Sequence, residues 1–122
     1  MGESVCCVHF TTEPFHIINM EMLIVLEGKT VVEMTFKQPM TTKIALDLMT
    51  SVISTLSGNA WRNTMGLHFV FNQSFKLLHD AMYQSFGDTN MLFIDEQSPL
   101  EMHKAWMAKY GTPSTMPKTV GP

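Results

Sequence analysis

The chain has 122 residues, 45% hydrophobic and 16% charged, with a formal charge of -3 at pH 7. That length suits one domain whose core needs no disulfide or metal staple, and the composition excludes a disordered chain. The charges are spread without runs, so there is no basic footprint for a phosphate backbone and nucleic acid is not expected as a partner.

Ser4 to Phe10 is apolar and β-branched, with Val5, Cys7 and His9 on one face and Cys6, Val8 and Phe10 on the other, as in a strand. Cys6 and Cys7 are adjacent, point to opposite faces and are expected as reduced thiols, since a disulfide between them would be strained. Thr11 to Pro14 reads as a turn. A second strand region runs from Phe15 to Glu27, with a kink at Asn19 to Glu21 and its strongest part at Met22 to Leu26, before Gly28 ends it. Val31 to Lys37 alternates as a third strand, completing an antiparallel meander. The longest apolar run, Met22 to Leu26, is too short to span a bilayer, and no charged n-region with an apolar stretch and cleavage site opens the chain. A soluble cytoplasmic protein without a transmembrane segment is the expectation.

Near Pro39 the rhythm changes. Ala45, Leu48, Met49, Val52, Ile53 and Leu56 fall on one helical face, with Thr41 or Thr42 to cap its start and Gly58 its end. Met65 to Phe71 reads as a central strand buried on both faces. Asn72 or Ser74 can cap a helix over Gln73 to Phe86, with Phe75, Leu78 and Met82 inward and Gly87 as its stop. Met91 to Ile94 is a short strand ended by Asp95. Ser98, Pro99 and Glu101 form a capping box with proline at the first helical position, followed by Met102, Ala105, Trp106 and Lys109 on one face. The expected fold is a single α/β domain over residues 1–111, with a mixed sheet of four or five strands. Its antiparallel N-terminal strands precede a helix-strand-helix-strand-helix series with right-handed crossovers, the helices mainly on one sheet face. Residues 112–122, with three prolines, are expected as a flexible tail.

Few residues carry chemistry at a convincing spacing. The twelve methionines form no dense soft-metal array and suit irregular core gaps. The five histidines, His9, His16, His68, His79 and His103, make no metal-ligand spacing; Cys7 and His9 share a strand face but lack an orienting third group. No glycine-rich phosphate loop is present. Neither a metal nor a cofactor is expected. The strand ends at Asn72 with Ser74 and at Asp95 with Glu96 should share the C-terminal edge of the parallel strands, where open α/β sheets bind ligands, which makes Asn72, Ser74 and Asp95 candidate contact residues. Trp61, with Arg62, either closes the core or forms an exposed recognition pair.

The order of elements resembles the STAS domain shared by sulfate transporters and anti-sigma-factor antagonists, in its divergent stand-alone form, over roughly residues 15 to 110. The run Met22 to Gly28 is similar to an early strand of that family, and Leu56 to Trp61 to the stretch before its central strand. The resemblance implies a STAS-like fold and a phosphorylated hydroxyl after the central strand, a place taken here by Ser74, with Asn72 where regulatory members carry an acid and Phe75 where they carry glycine. It further implies a non-catalytic module that binds a protein partner or a small apolar ligand through its sheet edge or methionine-rich helical face, and homodimerisation is expected. The alternatives are a small α/β enzyme using histidine and carboxylate groups at the strand ends, and a viral or mobile-element inhibitor that masks another protein.

Overall fold

A computed structural model describes residues 3–14, 16–57, 67–72, 80, 84 and 90–110. Three strands come first: β1 (Ser4–Glu13), β2 (His16–Leu26) and β3 (Lys29–Phe36). Helix α1 (Thr42–Ser57), β4 (Leu67–Phe71), β5 (Asn90–Phe93) and α2 (Pro99–Tyr110) follow. They form one α/β domain around a five-stranded mixed sheet of order β3-β2-β1-β4-β5. β1 pairs antiparallel with β2 and parallel with β4, β2 pairs antiparallel with β3, and β4 pairs parallel with β5. The mixed sheet and the N-terminal meander thus follow the sequence expectation.

β1 is apolar at every position from Val5 to Val8, so both of its faces must be covered. On one face Cys6, Val8 and Phe10 join Met20, Met22, Ile24, Phe69 and Phe71 beneath Ala45, Leu46, Met49 and Ile53 of α1. On the other, Val5, Cys7, Leu23, Val25 and Val70 lie beneath Met102 and Trp106 of α2. The expectation that the helices share one face is therefore wrong for α1 and α2, and the apolar character of alternate β1 residues is the reason. Each fully buried side chain of this size contributes about 1.5–3 kcal/mol.

Local chemistry sets the boundaries. Thr41 caps α1, its Oγ1 accepting the Ile44 N–H at 3.2 Å. Ser98 caps α2 in the same way, accepting the Glu101 N–H at 3.3 Å. On α1 the buried stripe takes in Leu46 and leaves Leu56 exposed, and on α2 Lys109 is exposed beyond the buried Met102 and Trp106. Thr11 to Glu13, expected as a turn, continues β1; β2 is irregular at Ile18, just before the expected kink at Asn19 to Glu21, because Thr11 pairs with Asn19 and Thr12 with Ile17. Glu27 and Gly28 both hold positive φ, 50° and 81°, as a two-residue type I′ hairpin requires. Two bonds tie that turn to the start of β1: Gly28 N–H to Glu3 C=O at 2.7 Å and Glu27 N–H to Ser4 Oγ at 3.0 Å. Beyond β3, Ile17 and Met40 exchange backbone bonds of 3.2 and 2.8 Å, which steers the chain past Pro39 into α1.

Of the helix expected over Gln73 to Phe86, only Asp80 and Gln84 are described, both helical and exposed. The expected tail over residues 112–122 lies outside the described residues. No helix among the described residues is long and apolar enough to cross a membrane.

Candidate functional site

At the C-terminal end of β4, Asn72 is buried and its amide is engaged by the fold. Oδ1 accepts the Phe10 N–H at 2.8 Å, and Nδ2 donates to the Phe10 carbonyl at 2.7 Å. The β1–β4 register ends at the pair Val8 and Phe71, so the Asn72 side chain extends the ladder beyond the reach of the β4 backbone. Asp95, just past β5, is exposed, and the bond from Ile94 N–H to Phe71 C=O (2.8 Å) brings its strand end beside that of β4. Ser74 and Trp61 lie outside the described residues.

The Cys7 thiol is sealed under α2, and burial pushes its pKa up to about 12. Cys6 is raised as well, by burial first and then by the neighbouring Cys7. Both are neutral thiols at physiological pH, without the thiolate that nucleophilic or metal chemistry needs. His9 does follow Cys7 on the same face, but its ring turns to Glu21 across the β1–β2 ladder. The separation of Nδ1 and Oε1, 3.5 Å, is longer than a good hydrogen bond, and His9 Nδ1 is buried without such a bond among the described residues.

A second polar group sits where α2 crosses the start of β1. His103 Nε2 lies 3.2 Å from Glu3 Oε2, and the rings of His103 and His68 flank Trp106 at 6.4 and 5.4 Å. Desolvation lowers the His68 pKa. Trp106 itself is 2% exposed, and its indole N–H has no hydrogen-bond partner among the described residues. Among the described residues, no group of three His, Cys, Asp or Glu side chains is placed to hold a metal ion.

A feature that sequence reasoning missed is at the other end of α2. There the helix N-terminus stands over the β2–β3 ribbon and leaves an open groove of roughly 430 Å³, lined by Glu21, Leu23, Glu33, Thr35, Ser98 and Leu100 among others. The groove carries two carboxylates from neighbouring strands and no cation among its lining residues. It opens onto β3, an outer strand of the sheet on which Val31 is 42% and Met34 37% exposed. The signal for this edge was the alternation of Val32, Met34 and Phe36 against Glu33, Thr35 and Lys37, which marks two faces but not which strand lies outermost.

No protein-family model, curated protein or solved structure matches the chain. The groove and the open edge of β3 are therefore assessed on their own chemistry. An unpaired strand edge offers a row of backbone donors and acceptors to an extended segment of another chain, and exposed side chains beside it set the specificity.

Proposed function

We propose that this chain is a non-catalytic, cytoplasmic, STAS-like interaction module that binds a protein partner along the free edge of β3. The observation that carries this reading is the edge itself: among the described residues β3 is paired on one side only, and it exposes Val31 and Met34 beside the acidic groove. The mixed polarity of that groove suits a peptide backbone with charged side chains better than a small apolar ligand. The reading is further supported by the buried, protonated state of Cys7 and by the use of the Asn72 amide within the sheet. The STAS-like assignment rests on the order of elements, and modification of Ser74 belongs to the same proposal.

A photo-crosslinking residue placed at Met34 in cells tests the edge, with the exposed Lys104 of α2 as control. Protein adducts from Met34 and not from Lys104 are the expected result. Equal labelling at both sites, or no protein adduct from Met34, overturns it.

A further inference from the structure

We infer that the partner on β3 is a second copy of this chain, paired antiparallel about a two-fold axis through Thr35. The inference rests on the edge reading above and names its occupant. A two-fold axis normal to the sheet keeps each face on its own side, so only residues of like parity can sit opposite one another. That leaves few registers, and the charges of β3 together with Lys37, the residue just past its end at Phe36, separate them.

Centring the pair on Glu33 sets Glu33 against Glu33 on the axis, which opposes like charges. A centre at Val31 would pair Lys29 with Glu33, but Val31 is the extra residue of a bulge. Ile24 pairs with Val32 and Val25 with Thr30, so the strand is irregular there and poorly shaped for a partner. Centres at Val32 or Met34 bring no opposite charges face to face. Centring on Thr35 sets Glu33 opposite Lys37 of the second copy, and Lys37 opposite its Glu33. On the other face Met34 meets Phe36 twice, covering the exposed Met34 side chain.

The groove extends the same charge complementarity. Glu33 and Thr35 line it together with Glu21, and in this register Lys37 of the second copy brings its ammonium to that acidic rim. Each chain thus supplies the cation missing from the other chain's groove lining. Pairing over Glu33 to Lys37 alone is a small contact, so the dimer is reversible and weakens with salt.

Sedimentation equilibrium up to about 1 mM protein tests the inference with Glu33→Lys, Lys37→Glu and the double variant. All of these positions are exposed, and thermal unfolding of each variant checks that the fold is retained. The wild type is expected to dimerise, each single variant to weaken the dimer roughly tenfold or more, and the double variant to restore it. An equimolar mixture of the two single variants should form a heterodimer, because each supplies the charge that the other now lacks. A wild-type chain that stays monomeric overturns the dimer. So does a dimer indifferent to both single substitutions, and one sensitive to Glu33→Lys alone overturns the register. Adducts from Met34 to a different protein, with no self-adduct, would refute the second copy while leaving the edge as a binding surface.

Discussion

The side-chain amide of Asn72 pairs with both backbone groups of Phe10, accepting its N–H at 2.8 Å and donating to its carbonyl at 2.7 Å. A residue positioned as a ligand contact at a strand end thereby acts as a rung of the sheet. Asn72→Ala should lower stability by about 2–3 kcal/mol in chemical denaturation, because it removes two buried bonds at once. Asn72→Asp keeps the acceptor but turns an oxygen toward the Phe10 carbonyl. Its deficit should be larger at pH 7 than at pH 4, where a protonated carboxyl can donate. A fully stable Asn72→Ala variant would return the amide to the list of free contact groups.

The two cysteines should be silent toward alkylating reagents in the native state at pH 8 and should both react once the chain is unfolded. Burial raises the Cys7 pKa to about 12 from an ordinary 9.0, so folding favours the protonated thiol. The associated stability is fully present below pH 9 and is lost as pH rises toward 12, by about 1.4 kcal/mol per pH unit for this group. Mass spectrometry after iodoacetamide treatment checks the first statement, and denaturation between pH 8 and pH 11 the second. Rapid native labelling of Cys7 would contradict its placement beneath α2.

His68 should titrate below its ordinary value of 6.5, since partial burial beside Trp106 disfavours the charged ring. A group depressed in the folded state contributes stability that is present above the unfolded pKa and lost as pH falls through the folded one. The imidazole proton shifts, followed by NMR from pH 8 to pH 4.5, give the midpoint directly. A midpoint above 6.5 would mean that the ring is better solvated, or better paired, than its contacts indicate.

The hairpin between β2 and β3 offers a test of backbone energetics. Gly28→Ala should cost at least about 1 kcal/mol, because a Cβ is disfavoured at a φ of 81°. Glu27→Asn should stabilise by up to about 1 kcal/mol, since asparagine tolerates the left-handed region better than glutamate does. Thermal unfolding of the two variants gives both signs. Equal effects would show that the turn relaxes to another geometry.

Much of the architecture was legible from local chemistry. The β1–β3 meander, the caps at Thr41 and Ser98, and the buried face of α1 through Ala45, Met49 and Ile53 all follow from alternation, helical period and hydroxyl chemistry, which act between near neighbours. The candidate site was less legible. Asn72 and Asp95 were placed at neighbouring strand ends, but only the fold brings Asn72 to a residue 62 positions earlier in the chain. The groove joins Glu21, Glu33 and Ser98 from three separate elements, and no pattern within a short window encodes that meeting.

The amino-acid sequence by itself determined most of the described element types and the Glu27–Gly28 turn, because backbone propensity, capping and apolar periodicity are local quantities. Only the tertiary structure decided that β1 lies at the centre and β3 at the edge, and that α1 and α2 cover opposite faces. Those outcomes depend on long-range strand pairing and on which apolar faces bury one another, and they turn an ordinary alternating strand into the exposed edge proposed here as the binding surface.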